Sequence, residues 1–345
     1  MHRDQKFQFF KVIGLSAVMA LGAACAGEDG SEVGTGPELG EQAPDGDAVG
    51  VSKPGEQYDD IGDPRHPELL VAGEPTARSM RMVGDRLYWV EDGGPVFFLS
   101  WVRPGGGPVF VTAKMEDYPY SLAIDEGSAY WSVPEKGRLY RVGLEGGDSE
   151  ILWDDSDNVP LAVTVDETEL YFTTADGCVR SVNLKSADLA EVTCADGTPT
   201  SMALHKSDVW WSIAEGGLFR ADKFGGEATK WVSGESFDSE IIVDDSQVYW
   251  LNAQSRSVLG VGTETPGSIR ALAKFQYAPT GITQDRFYIY FTTQSDDSVK
   301  RVYKGGSPPH VIADSQPYPG DVARHNDRLY WVNEGEGTIM TIDLR

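Results

Sequence analysis

Beyond about residue 66, short apolar runs alternate with clusters of Gly, Asp, Asn and Ser, the signature of strands joined by tight turns. The runs repeat. Asp85-Arg86-Leu87-Tyr88-Trp89-Val90 returns letter for letter as Asp327-Arg328-Leu329-Tyr330-Trp331-Val332. Weaker copies between them centre on Tyr130-Trp131, Tyr171-Phe172, Trp210-Trp211, Tyr249-Trp250 and Tyr290-Phe291. From Trp89 onward, successive second aromatics lie 42, 41, 39, 39, 41 and 40 residues apart. A fixed period near 40 in a strand-patterned chain predicts an all-β propeller of four-stranded antiparallel blades around a channel. Seven copies predict seven blades, with six as the alternative if one copy is something else.

Each unit divides in the same way. An inner strand such as Ser121–Asp125 or Ala162–Asp166 precedes the aromatic strand. A third strand follows, as in Leu139-Tyr140-Arg141-Val142 or Val299-Lys300-Arg301-Val302. Paired glycines (Gly105-Gly106, Gly146-Gly147, Gly225-Gly226, Gly305-Gly306) suit the positive φ of a hairpin turn before a short outer strand such as Glu150–Trp153. The aromatic strands are apolar at adjacent positions, as expected where both faces are covered by neighbouring blades. Their Trp and Tyr residues therefore read as inter-blade core.

Twelve residues before each second aromatic stand Ala77, Pro119, Pro160, Pro199, Asp238, Pro279 and Pro319. Proline fits the first residue of a strand, where no ladder donor is lost. At the C-terminus the seventh unit stops after a third strand, Thr338–Leu344, while Glu68-Leu69-Leu70-Val71 precedes any first strand. The N-terminal strand is thus expected to serve as the outer strand of the last blade and close the ring.

The Tyr-Trp anchors, the apolar-Arg strand after them and the Gly-Gly turn resemble the YWTD β-propellers of lipoprotein-receptor type and their bacterial relatives, over residues 66 to 345. In place of the Thr-Asp half stand Val90-Glu91, Ser132-Val133, Thr173-Thr174 or Val332-Asn333. The resemblance implies binding and scaffolding.

The N-terminus adds an address. Met1–Lys11 carries net +2, and the thirteen residues Val12–Ala24 are uncharged. At 1.5 Å per residue that run is too short for a ~30 Å hydrocarbon core, so residues 1–24 read as a signal peptide. It ends in Leu21-Gly22-Ala23-Ala24-Cys25, which resembles the lipobox of bacterial lipoproteins; the resemblance implies a lipidated Cys25 at the mature N-terminus. The alternative is a secreted or periplasmic soluble protein cleaved after a small-residue pair. Ala26–Arg65 holds eleven acids against two bases, a net −9, and reads as a disordered acidic tether. A net charge of −25 for the whole chain disfavours nucleic acid as a partner. The expected membrane contact is the lipid anchor alone, at the cell envelope (outer membrane or cell surface).

Candidate chemistry is sparse. Cys178 opens the third strand of its blade and Cys194 ends the fourth, with a turn at Lys185–Asp188 midway between. Export and opposed positions together predict a disulfide. His205 and His325 fall in turns of different blades, and no Ser–His–Asp ordering, phosphate loop or metal spacing is visible. Neither a catalytic set, a metal nor a cofactor is expected. Asp154-Asp155-Ser156-Asp157-Asn158 is oxygen-rich but lacks the Gly and distal Glu of an EF-hand loop, and reads as solvated.

A ligand would meet the loops at the channel mouth. The polar residues after the proline positions there are Arg78, Tyr120, Thr200, Glu240 and Asp321. The corresponding inner-strand positions are otherwise small: Ser79, Ser121, Ala162, Ser201 and Gly281. The expectation is a non-catalytic module binding a protein or polysaccharide, with a channel-mouth hydrolase or lyase as the alternative.

Overall fold

The computed structural model describes residues 66–345, except Pro75, Glu215 and Asp238. The signal peptide, Cys25 and the acidic tether lie outside the described residues, as does Asp238 at its pre-strand position.

Seven four-stranded antiparallel sheets make a seven-bladed propeller. Strand β1 (Glu68–Ala72) comes first, then blade I: β2 (Arg78–Val83), β3 (Arg86–Asp92), β4 (Phe97–Val102) and β5 (Phe110–Met115). Blade II is β6 (Ser121–Ile124), β7 (Ser128–Val133), β8 (Arg138–Gly143) and β9 (Glu150–Asp154). Blade III is β10 (Pro160–Val165), β11 (Glu169–Thr174), β12 (Cys178–Asn183) and β13 (Leu189–Cys194). Blade IV is β14 (Pro199–His205), β15 (Asp208–Ile213), β16 (Gly217–Asp222) and β17 (Thr229–Val232). Blade V is β18 (Ile242–Val243), β19 (Gln247–Asn252), β20 (Ser257–Gly262) and β21 (Arg270–Ala273). Blade VI is β22 (Pro279–Gln284), β23 (Tyr288–Thr293), β24 (Ser298–Tyr303) and β25 (His310–Ala313). Blade VII is β26 (Pro319–His325), β27 (Arg328–Asn333) and β28 (Thr338–Asp343), completed by β1.

The closure is as expected: β1 pairs β28, with Leu69 opposite Met340 and Val71 opposite Ile339. The N–H groups of Gly73 and Glu74 then both donate to the Gly337 carbonyl, at 2.9 and 2.7 Å. A closed ring has no open first or last blade, so no long flat edge is left at the join.

The aromatic pairs explain the ring. Successive side chains of a strand point to opposite faces, so each pair serves two interfaces. The first aromatic of each blade packs with the second aromatic of the next. The partners are Tyr88 with Trp131, Tyr130 with Phe172, Tyr171 with Trp211 and Trp210 with Trp250. Tyr249 with Phe291, Tyr290 with Trp331 and Tyr330 with Trp89 complete the circle. Seven hydrophobic clusters thus correspond to seven interfaces. Each buried aromatic contributes roughly 1.5–3 kcal/mol by transfer.

Cys178 and Cys194 are direct cross-strand partners on β12 and β13 and form the expected disulfide. Two expectations need correcting. His205 and His325 end β14 and β26 and do not lie within the turns. Blade V has only a two-residue inner strand, so Glu240 stands in the segment leading into it. There the Ser239 hydroxyl accepts the Leu251 N–H at 3.0 Å, taking the place of a ladder carbonyl.

Candidate functional site

The channel mouth is shaped by an irregularity shared by most inner strands. The register slips just after the first residue of β2, β10, β14, β22 and β26. A bulge leaves backbone N–H groups without ladder partners and re-aims side chains. Hydroxyls on the second strand satisfy some of them: Thr173 Oγ1 accepts from Ala162 N, and Thr292 Oγ1 from Gly281 N, at 3.1 and 2.8 Å. Other amides at the starts of the inner strands reach into the preceding blade. Val163 N donates to Ser121 Oγ at 3.1 Å and Ile241 N to Ser201 Oγ at 3.0 Å. Met80 N donates to Asp321 Oδ2 at 2.6 Å. Asp321 therefore ties blade VII to blade I by the device that serine provides elsewhere in the ring.

Its second oxygen accepts the Val322 N–H at 2.9 Å. Burial first, and then repulsion from Glu240, push its carboxyl up to about 6, against the pull of Arg81 and the two amides. Arg81 lies beside both of these acids. It pairs with Glu240 and donates Nη1 to the Met80 carbonyl at 2.9 Å. Burial works against its charge, but Glu240 and Asp321 outweigh that and raise its pKa. Blade V faces blade I across the ring, so the Arg81–Glu240 pair spans the channel.

Arg81 is a residue that reading the sequence missed, although a signal existed. It pairs with Tyr88 in the register where the other blades place Ala123, Thr164, Ala203, Ile242, Thr283 and Ala323. An arginine in a column of Ala, Thr and Ile is a charge aimed at the axis. Glu334 was missed as well, because it follows the aromatic strand and not the proline position.

Beside Glu240 lies an open depression of about 250 Å³. Arg78, Ser79, Glu240, Thr280, Asp321 and Glu334 contribute to its lining. Three of the five expected residues, Arg78, Glu240 and Asp321, are thus brought together. Tyr120 and Thr200 are not among the lining residues. Tyr120 gives its backbone N–H to the Ser132 carbonyl at 2.9 Å, and burial raises its hydroxyl pKa. Thr200 spends its hydroxyl on Ser212, at 3.0 Å from that residue's Oγ.

Arg78 differs from Arg81. Its guanidinium lies over the rings of Tyr118 and Phe97, 4.7 and 5.6 Å from their centroids. Its Nε is buried without a hydrogen-bond partner. Burial, followed by repulsion from Asp321, raises the Glu334 carboxyl, with Arg78 opposing.

The remaining candidates are structural. In the Asp154–Asn158 loop, Asp155 accepts the N–H groups of Asp157 and Asn158 and the Asn158 amide, at 2.8–3.2 Å. Those bonds, the backbone bond to Asp157 first, hold its carboxyl below the usual range. The carboxylate is thus used within its own turn. His205 Nε2 lies 3.1 Å from Asp245, away from the mouth. No helix among the described residues is long and apolar enough to cross a membrane.

No protein-family model matches the sequence, and no curated protein matches it. Solved structures are similar in fold. Virginiamycin B lyase from Staphylococcus aureus is 13% identical with a TM-score of 0.64, over 81% of this chain and 99% of that one. BamB from Moraxella catarrhalis is 16% identical with a TM-score of 0.52, over 75% of this chain and 80% of that one. A chain of a nidogen/laminin complex is 13% identical with a TM-score of 0.50, over 62% and 88%. One enzyme and non-enzymes therefore share the architecture, and at these identities the chain is similar to all of them as a β-propeller.

Proposed function

We propose that this chain is an exported, lipid-anchored propeller of YWTD-like type whose channel mouth binds a protein or polysaccharide partner at the cell envelope without chemistry. The observation that carries the reading is how the mouth spends two of its three acids, the third, Glu334, being left open to a ligand. Glu240 is paired with Arg81, and both oxygens of Asp321 accept backbone N–H groups. A general acid or base needs a proton-transfer atom within reach of substrate, and these carboxylates are committed to holding blades together. The lipobox-like Cys25 and the acidic stretch after it support a domain held off a membrane by a spacer of roughly 30–40 Å or more.

Two experiments test the reading. Envelope proteins and polysaccharides captured on the full chain should be lost in Arg78→Ala; unchanged capture would remove the binding face from the mouth. Cys25→Ser should move the protein from the membrane fraction to the soluble one, and a variant that stays membrane-bound would count against the anchor.

A second reading, a lyase or hydrolase at the mouth, is favoured by one feature: Asp321 titrates near 6, in the range of a working base. It requires Asp321 to leave its amide partners. Turnover lost in Asp321→Ser, the residue that makes the same tie in blades II and IV, would support it.

A further inference from the structure

Of the six polar residues that line the depression, Glu240, Thr280 and Asp321 are spent on partners and three are not. Arg78 has no ion pair or hydrogen bond among the described residues, and its Nε is buried and unpartnered. The Ser79 hydroxyl makes no hydrogen bond, and the Glu334 carboxylate has neither a hydrogen bond nor an ion pair, among the same residues. All three line one depression. The guanidinium and the carboxylate share that space without pairing, although Arg78 lowers the Glu334 carboxyl against its burial.

The side chains are held in this state. Arg78 is laid over Tyr118 and Phe97, which fixes the plane of its fork. Glu334 is seated against Gly320: a Cβ on that glycine would come within 2.3 Å of Glu334 Oε1. Ser79 has a φ of +53°, off the strand geometry, so its hydroxyl does not tie blades as Ser121 and Ser201 do. The buried Nε is closed to a ligand, so the donors left for an incoming acceptor are the two Nη groups of the fork.

We propose that the depression binds a zwitterionic group, a carboxylate on Arg78 and Ser79 and an ammonium on Glu334, as carried by a free amino acid or a short peptide with both ends free. Guanidinium recognises carboxylate through a planar two-pronged contact, and a carboxylate offers an ammonium only acceptors, so the two ends are not interchangeable. The volume of about 250 Å³ lies below the ~300–1,000 Å³ of drug-sized pockets, which limits the occupant to one small molecule or chain end. The assignment rests on the mouth being a binding face and names the chemistry that face would recognise.

The test is calorimetric titration of the full chain with L-alanine, L-lysine, L-glutamate and L-alanyl-L-alanine. N-acetyl-L-alanine and L-alanine amide serve as probes lacking one charge. At least one zwitterion should saturate the protein, and each singly blocked probe should bind about tenfold more weakly or less. Binding of the amino acids without the dipeptide assigns the site to free amino acids, and the reverse assigns it to peptide ends. Arg78→Lys and Glu334→Gln should each weaken binding about tenfold in a propeller that still unfolds cooperatively; the melting temperature is read separately, since Arg78 also rests on two rings and Glu334 is a buried carboxyl. Blocked probes binding as well as the zwitterions would overturn the proposal, and so would variants binding like the parent. If no zwitterion binds while Arg78→Ala still abolishes partner capture, this assignment falls and the partner-binding reading stands. If zwitterions bind and capture ignores Arg78→Ala, the partner reading falls and the assignment stands.

Discussion

The chain contains the same hexapeptide twice, and the two copies live in different chemistry. In β3 and β27 the Leu-Tyr-Trp-Val cores are equally buried, at 0–1% exposure. Both tryptophans donate their Nε1 to a side chain fifteen residues upstream, at 3.1 Å in each case. In blade VII that acceptor is Gln316, and Asn333 closes a neutral network by donating to Gln316 at 3.0 Å and accepting from Trp331 at 3.1 Å. In blade I the acceptor is Glu74, and Glu91 stands where Asn333 would be. Burial first, and then the neighbouring Glu91 side chain, push the Glu74 carboxyl up to about 7. Identical strands thus sit against a neutral amide acceptor in one blade and a titratable carboxyl in the other. A buried donor specifies only that an acceptor be present; the charge on it is left to the neighbours.

The comparison can be broken or sharpened experimentally. The largest effect tests what the copies share. Trp89→Ala and Trp331→Ala should each cost about 3–5 kcal/mol in denaturant unfolding, because both leave an indole-sized cavity between blades. A clear inequality would show that one interface relaxes and the other does not.

The next tests what separates them. Glu74 is near 7 in the fold against an ordinary 4.5, so its contribution to stability is complete below about 4.5 and is lost as pH rises through 7. Glu74→Gln, which copies blade VII, should therefore raise stability by about 1–3 kcal/mol at pH 8 and change little at pH 4. Gln316→Glu should transplant the sensitivity, lowering stability at pH 8 relative to pH 5. Melting temperatures across pH 4–8 read both, and a Glu74→Gln curve parallel to the parent would reject the raised Glu74 carboxyl as the source of the difference. Glu91→Asn should recover part of the gain, about 1 kcal/mol at pH 8, since Ser100 still needs the acceptor that Glu91 gives it at 3.0 Å.

The smallest effect concerns the arginines of the hexapeptide. Arg86 lies over Trp101, 4.3 Å from its centroid, and meets the exposed Glu145 at 3.3 Å. Arg328 meets Glu68 of β1 at 3.2 Å. Removing Arg86 should cost about 1 kcal/mol through the ring contact, and Arg328 about 0.5 or less. The Arg328 effect should vanish in high salt, and the Arg86 effect should largely persist.

Much of the fold was legible because its signals are local or periodic. The aromatic pairs gave the blade number, the missing fourth strand gave the closure, and the hairpin between Cys178 and Cys194 put the two sulfurs opposite one another. The mouth was only partly legible. Arg78, Glu240 and Asp321 were found by their distance from the anchors, but Tyr120 and Thr200 satisfied the same rule and turned elsewhere. Arg81 and Glu334 broke the rule and arrived. The bulges decide this, since they rotate side chains off the alternation that sequence spacing assumes.

What the sequence determined by itself is the repeat: a strand that must be covered on both faces forces a ring, and seven copies with a borrowed outer strand force its size. What only the tertiary structure decided is which residues share the axis. Arg81 and Glu240 lie 159 positions apart, and Asp321 lies 241 from the amide it accepts. Period and pattern constrain a residue relative to its own blade. A pairing across the channel depends on the angle between blades, which exists only once the ring has closed.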